Sequence, residues 1–420
     1  MSRTSKFSKP FRRCALTLLG TAAGIVLLFT AFNTWVNPLW VTPSPWTDES
    51  FAAYRPIYRH QRTAKAGLVR SAQWQAAFFG SSRIDIALDP ANPHWGNTRA
   101  VNLAVSAGTL PETAAILRYT LAREHLETAI AGIDIGDLMS SHSPYQTTGF
   151  MESPFNPKGD RFERELRYLS GISTFQTAIQ TLINRHRQAL PEYTPQGHRL
   201  RHHEPPNVRQ TILRDSIPHA LRTVRRRKHA LEPNAWKISL LQQILDDSKA
   251  ARTRLVLLIP PSHASYIGLY HLENDPDPCF TRDRGIMARL VAQSNADHPE
   301  APAATIWDFN DFHELNCEAI PADKSRMKYW VDGTHARKSL GDVMLARIMA
   351  WPVDDPAGAD YGFELNAANL DQRTATLRQG YQDFRTRHPE LWQWMCDGAK
   401  TYQTTDDSAG EAKDEAAPAF

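Results

Sequence analysis

The stretch Trp74-Gln75-Ala76-Ala77-Phe78-Phe79-Gly80-Ser81-Ser82-Arg83 reads as a buried strand running into a sharp turn. Trp74 to Phe79 supply the apolar run. Gly80 is able to take backbone angles that a side chain forbids. Ser81 and Ser82 then emerge at the C-terminal end of the strand, the edge where open α/β sheets hold their ligands. Far downstream, Asp332-Gly333-Thr334-His335 sets an Asp and a His three residues apart, just ahead of a helical pattern. A serine hydroxyl is a poor nucleophile until a base takes its proton, and the base needs a third group to orient it. The two stretches contain all three parts.

The elements between them alternate. Ala100 to Val105 reads as a second buried strand. Thr109-Leu110-Pro111-Glu112 has capping-box spacing with Pro in the first turn, and Ile116, Leu117 and Leu121 continue a helical stripe. A third strand follows over Ala129 to Ile135. Strand, helix, strand at this spacing predicts a parallel sheet. The polar stretch from His142 to His229 interrupts the pattern and is too long for a connection within a compact sheet. It reads as a helical insertion over about 142–235, a lobe or lid. Its basic cluster holds Arg199, Arg201, Arg209, Arg214, Arg222 and Arg225-Arg226-Arg227-Lys228, which is either a solvated helix face or a contact for anionic lipid heads or an acidic glycan. His202-His203 has no matching acid or Cys cluster, so neither a metal nor a cofactor is expected.

The alternation then resumes. A helix is predicted over Ile238–Leu245, a strand over Leu255–Ile259 ended by Pro260-Pro261, a helix over Ile286–Val291 and a short strand over Thr305–Phe309. Leu340, Val343, Met344 and Ile348 mark a final helix packed on the sheet. Asp308, after its strand, reads as structural, and Lys65, ahead of the first strand, as a solvated surface charge. From 351 to 400 the sequence reads as a helical extension with one helix near Leu370–Phe384, and the acidic, polar tail 401–420 reads as disordered.

The chain of 420 residues is 42% hydrophobic and carries a formal charge of +3, a balance that does not point to nucleic acid. Residues 1–14 form a basic segment. Ala15 to Phe32 is uncharged, within a transmembrane anchor drawn over 15–35. Eighteen helical residues span about 27 Å, close to the hydrocarbon thickness. The basic flank places the N-terminus in the cytoplasm and everything after Trp35 on the far side. A cleaved signal peptide is the alternative, against which stand the length of the run and the lack of a clear small-x-small cleavage site. Gly20-x-x-x-Gly24 is a spacing that can bring membrane helices together. Trp35 and Trp40 suit the outer interface, and the Pro- and Trp-rich stretch from Asn37 to Ala53 reads as an extended linker within a lead-in over 36–70. Of four cysteines, Cys14 lies in or beside the membrane, Cys279 and Cys317 are candidates either for pairing or for free half-buried thiols, and Cys396 is left over.

The Gly80-Ser81-Ser82 turn and the Asp332-x-x-His335 block together resemble the SGNH/GDSL hydrolase family, over roughly Lys65 to Ala350. In that family the nucleophile ends a Gly-Asp-Ser turn and the base lies in an Asp-x-x-His. Ser81 in place of the Asp is more similar to the membrane-anchored branch that includes the D-alanyl-lipoteichoic-acid biosynthesis protein and, more loosely, the alginate O-acetylation proteins. The resemblance implies a flavodoxin-like three-layer α/β/α fold with a parallel sheet over 71–350. It also implies a catalytic triad of Ser82, Asp332 and His335. One oxyanion-hole donor is the Ser82 N–H. A second comes from the block Asn102 to Gly108, where alignment from Asn102 places the family's Gly at Ala107, with Gly108 adjacent. The family's Gly-x-Asn-Asp block is here Gly132-Ile133-Asp134-Ile135-Gly136-Asp137. An ionised Asp cannot donate to an oxyanion, so the hole is weaker or built differently, which counts against efficient hydrolysis and leaves transfer to a bound acceptor, or an accessory role, more open.

The expectation is a periplasmic or otherwise extracytoplasmic acyltransferase or esterase, anchored in the inner membrane and acting on acyl or acetyl groups of a cell-envelope polysaccharide. Its partners would be an acylated glycan or acyl donor and a membrane-bound acyltransferase. The alternative is a non-catalytic envelope protein that binds glycan or a partner on a retained fold.

Overall fold

The computed structural model describes residues 9–139, 149–202, 204, 206–228, 232–272 and 278–414, and at 9, 226–228, 278–280 and 403–414 it describes the backbone alone. Helices α1 (Lys9–Val36) and α2 (Gln61–Ser71) come first, followed by β1 (Ala76–Phe79), α3 (Ser82–Ala87), β2 (Ala100–Asn102), α4 (Leu110–Leu121) and β3 (Thr128–Gly132). Next come α5 (Arg161–Ser170), α6 (Ile172–His186), α7 (Val208–Thr211), a π turn over Ile212–Ser216, α8 (Ile217–Lys228) and α9 (Ala235–Ala250). The chain ends with β4 (Arg254–Ile259), α10 (Ala264–Tyr270), α11 (Pro278–Asp297), β5 (Thr305–Asp308), α12 (Lys338–Met349), β6 (Phe363–Leu365), α13 (Leu370–Arg387) and α14 (Pro389–Asp414). These elements fall into two compact units, Met1–Ala72 with Gly149–Pro195, and Gln73–Thr148 with Gln196–Phe420.

The second unit carries a six-stranded sheet in the order β2-β1-β3-β4-β5-β6. The first five strands are parallel, with Phe78 opposite both Asn102 and Ile130 and Ile259 opposite Asp308. Every residue of β1 and β3 is buried, as parallel strands covered on both faces must be. Stepping from β1 outward to β2 and then back across β1 to β3 reverses direction once. Right-handed crossovers therefore place α3 on one face and α4, α9 and α11 on the other. The packing agrees: α3 lies against α12, and α9 lies against both α4 and α11. That single reversal creates a switch point at the C-terminal ends of β1 and β3, where a doubly wound sheet opens a crevice.

The first unit is helical. Within Pro10–Val36 of α1 the most apolar eighteen residues average a hydropathy of 2.1, and the helix is long and apolar enough to cross a membrane. Its C-terminal end packs on α5 and α6: Phe29 and Phe32 meet Phe175, and Asn33 donates to the Leu169 carbonyl at 2.9 Å.

Several expectations are corrected. The stretch Asn37 to Ala53 is no extended linker, because Leu39, Trp40, Val41 and Phe51 are buried within the first unit. Trp40 is therefore not at an interface with lipid; the Arg55 guanidinium lies over its ring at 5.7 Å. Lys65 is fully buried, with its ammonium 4.9 Å from the centre of the Tyr193 ring, a cation–π contact in place of water. The insertion over 142–235 is not one lobe. Its described part up to Pro195 belongs to the first unit, whereas the Gln196 carbonyl accepts the Asn102 N–H at 2.9 Å in the second. The sheet does not end near 350, since β6 adds an antiparallel edge strand with Leu365 opposite Ile306. The tail is not disordered from 401: α14 runs to Asp414, and 415–420 lie outside the described residues. Cys317 is a free, buried thiol, while the Cys279 side chain lies outside the described residues.

Candidate active site

Gly80 is the hinge on which β1 becomes α3. Its φ of +138° is accessible to few residues with a side chain, and a Cβ there would stand 2.9 Å from Ile84 Cγ1 and 3.1 Å from the Gly132 carbonyl oxygen. Ser81 follows as the N-cap of α3, and Ser82 occupies its first helical position at the switch-point edge. The Ser82 N–H accordingly lacks an intrahelical acceptor.

The second stretch folds back on itself. Trp330 and Ala336 form an antiparallel bridge, and the Val331 N–H donates to the His335 carbonyl at 2.9 Å. Inside this loop Asp332 Oδ1 accepts the backbone N–H groups of Thr334 (2.9 Å) and His335 (3.0 Å) and the Thr334 hydroxyl (3.1 Å). The His335 ring is thereby delivered with Nδ1 at 2.8 Å from Asp332 Oδ2 and Nε2 at 2.9 Å from Ser82 Oγ. Two hydrogen bonds thus link residues 253 apart in sequence into the relay expected of Ser82, His335 and Asp332. With Nδ1 facing a carboxylate, that nitrogen carries the proton, and the Nε2 lone pair faces the hydroxyl. Burial opposes ionisation of Asp332, but the His335 ring and the donated N–H groups outweigh it and hold the carboxyl well below the usual carboxylate range.

The oxyanion assignment divides. Ala107 stands at φ +52°, the left-handed conformation for which glycine is the usual choice, so the alignment from Asn102 put a glycine position where the backbone asks for one. Its N–H makes no hydrogen bond among the described residues. The Gly108 N–H, in contrast, donates to the Val105 carbonyl at 3.0 Å, which removes it from the set of available donors. Gly108 has a packing reason instead: a Cβ there would lie 2.7 Å from the Gly80 carbonyl oxygen.

Asp134 is bound in an ion pair. Arg83 Nη1 donates to its Oδ1 at 2.8 Å, while Arg83 Nη2 donates to the Pro260 carbonyl (2.9 Å), the Ser262 hydroxyl (2.8 Å) and the Pro261 carbonyl. One guanidinium therefore ties the turn that carries Ser82 to the chain leaving β3 and β4. Asp137 is structural as well. It accepts the Leu110 N–H at the start of α4 (2.7 Å) and the Lys237 ammonium (2.9 Å), and burial pushes its carboxyl upward against the pull of Lys237. Asp308 is buried between Arg284 (2.7 Å) and Arg373 (2.8 Å); burial is outweighed by the two cations and its carboxyl is held at about 2.

The relay opens into a cavity of about 740 Å³ lined by Ser82, Ala107, Asp332 and His335 and by residues the sequence did not single out for it: Asp215, Ser216, His219 and Tyr266. The π turn brings Arg214, Asp215 and Ser216 to this wall, an irregularity often found beside functional sites. His219 Nδ1 lies 2.8 Å from the Tyr266 hydroxyl, which accepts from Tyr270 at 3.1 Å. The basic cluster is dispersed. Arg201, Arg214 and Arg222 line the cavity, Arg199 donates to the Ser106 hydroxyl at 2.9 Å, and Arg209 covers the Trp394 ring. Arg226 to Lys228 are described in backbone only, and His203 lies outside the described residues. Among the described residues no group of three or more His, Cys, Asp or Glu is placed to hold a metal ion. No protein-family model matches the chain, and no curated protein matches it.

Proposed function

We propose that the chain is a membrane-anchored, SGNH-like O-acyltransferase or esterase that works outside the cytoplasm on acyl groups of a cell-envelope polysaccharide, with Ser82, His335 and Asp332 as its triad. The observation that carries this reading is the relay itself: a hydroxyl, an imidazole and a buried carboxylate joined at 2.9 and 2.8 Å on the ligand-binding edge of a parallel sheet. The strand order 2-1-3-4-5 of the parallel part is the flavodoxin-like order, which supports the SGNH fold assignment.

The chemistry follows from the contacts. His335 Nε2 removes the Ser82 proton as Oγ bonds to the ester carbonyl carbon, and Asp332 stabilises the imidazolium that results. The carbonyl oxygen becomes an oxyanion facing the N–H groups of Ser82 and Ala107. Collapse breaks the ester C–O bond, His335 returns its proton to the departing alkoxide, and an acyl-Ser82 remains. A sugar hydroxyl, or water, then gives its proton to His335, takes the acyl group and restores Ser82. Each backbone donor is worth about 3 kcal/mol of barrier.

Titration of the full-length protein with a fluorophosphonate probe tests the reading. Stoichiometric labelling that Ser82→Ala abolishes is the expected result. Absence of labelling in folded protein would overturn the enzyme and leave a glycan- or partner-binding protein. Acyl release measured with and without a sugar acceptor then separates transfer from hydrolysis.

A further inference from the structure

We propose that α5 and α6 form a membrane-contacting foot, seated among the outer-leaflet acyl chains of the bilayer that α1 crosses. This rests on the anchor reading of α1 and on the first unit alone. Depth is the first argument. At 1.5 Å per residue, Phe29 lies about 24 Å along α1 from Arg13, the last basic residue before the apolar run, and the hydrocarbon layer is about 30 Å deep. Phe29 therefore lies inside that layer. Phe175 of α6 stacks on Phe29 with ring centres 4.5 Å apart and also meets Phe32 at 5.2 Å, so it shares this depth.

The surface around Phe175 is the second argument. Ile172 is 67% exposed, and Ile179 and Ile183 are exposed on the same stripe. At 3.6 residues per turn these three fall within about 40° of one another. Ser173 and Gln180 lie on the neighbouring arc, as in a helix resting at an interface. On α5, Phe162 (78% exposed) and Leu166 stand one turn apart. Isolated exposed apolar residues are ordinary, but a face built from two adjacent helices is not. Arg161 and Arg167 flank it with stems long enough to reach back to water, and Glu163 is paired with Arg167 at 2.5 Å. Trp35 and Trp46, both exposed beside the end of α1, are the residue type that marks the headgroup level, and Trp46 Nε1 is fixed by donation to Thr34 Oγ1 at 2.9 Å.

Lipid is the occupant because α6 is seated through Phe175 on Phe29 and Phe32 of α1, a helix whose free surface in a bilayer touches acyl chains. The test places the photocrosslinker benzoylphenylalanine in the full chain, in membranes, at Phe162, Ile172 or Ile183, with Leu27 on α1 reporting the anchor and Gln180 reporting the water side. Variants are compared only where their melting temperature matches the parent. Light-dependent phospholipid adducts at all three positions and at Leu27, several-fold above Gln180, are expected. Adducts at Leu27 with the three positions at the Gln180 level would overturn the foot and leave the anchor standing. No adduct at Leu27 would overturn the anchor and the foot with it. Adducts at twice the chain mass, or to another protein, would replace lipid with a second copy or a partner.

Discussion

Asp332→Asn changes one atom and should remove most of the nucleophilic chemistry. In the native loop Oδ1 accepts the N–H groups of Thr334 and His335, and Oδ2 faces His335 Nδ1 at 2.8 Å. An Asn can keep the first two bonds with its own oxygen, so the loop and the Trp330–Ala336 bridge are retained and the melting temperature should move by only a few degrees. Its NH₂ must then sit where Oδ2 was. A donor facing Nδ1 selects the tautomer with the proton on Nε2, the nitrogen that lies 2.9 Å from Ser82 Oγ. The base no longer has a lone pair toward the hydroxyl, and nothing balances an imidazolium. In a Ser-His-Asp triad of known activity the same exchange costs about 10⁴ in rate, and at 1.36 kcal/mol per decade that is about 5 kcal/mol of transition-state stabilisation. The assay is the second-order rate of fluorophosphonate labelling for parent and variant, with a thermal melt of each. A rate within about tenfold of the parent, in protein that melts normally, would refute the role given to Asp332, because losing the base should cost at least two decades.

Three further outcomes follow from the same contacts. Asp308→Asn leaves Arg284 and Arg373 buried without their shared carboxylate and should cost about 3–5 kcal/mol in denaturant unfolding; a loss under about 1 kcal/mol would contradict the pairing. Burial, then Arg284, pushes the His271 imidazole down to about 3 from an ordinary 6.5, so its contribution is fully present above pH 6.5 and is lost as pH falls toward 3. The loss at pH 4 is roughly 3 kcal/mol. His271→Phe, a ring placed to stack on Tyr381, should flatten the fall in melting temperature between pH 6.5 and 4, and an unchanged slope would sink the assignment. Gly108→Ala sets a Cβ 2.7 Å from the Gly80 carbonyl oxygen and should slow Ser82 labelling by about tenfold or more, whereas Ala107→Gly, already at φ +52°, should leave labelling near the parent rate.

The five parallel strands were legible because each is a short apolar run closed by Gly, Pro or a polar turn, and a parallel strand buried on both faces needs no alternation to be recognised. The approach of Ser82, His335 and Asp332 was legible for a related reason: Asp332 and His335 are joined by local loop geometry, and Ser82 is presented by a turn that needs Gly80. What sequence reading missed depends on partners far along the chain. The first unit is assembled from residues before 73 and from Gly149–Pro195, and neither piece alone shows that Leu39, Trp40 and Lys65 will be buried. Lys65 looked solvated because the ring that covers it, Tyr193, is 128 residues away. β6 was missed because three residues, Phe363–Leu365, carry no periodicity, and their place is set by Asp308 and Arg373 holding the edge of β5. The stripe Ile172, Phe175, Ile179 and Ile183 was visible at helical spacing and would have marked an amphipathic helix inside the supposed insertion.

Asp134 illustrates the difference between reading a motif and reading a site. Against the family pattern it was only a missing Asn, a defect in the oxyanion hole. In the folded chain its partner is Arg83, the residue directly after Ser82, and the same guanidinium also holds the Pro260 carbonyl and the Ser262 hydroxyl. A carboxylate facing a forming oxyanion would raise the barrier; one bonded at 2.8 Å to a cation is largely neutralised and instead fixes the Ser82 turn against the ends of β3 and β4. Under the proposed mechanism oxyanion stabilisation falls to the N–H groups of Ser82 and Ala107, and for these to suffice the turn must be rigid. The rigidity comes from Arg83, which makes it a positioning residue: Arg83→Gln should lower the labelling rate through the orientation of Ser82 while the His335–Asp332 pair stays intact.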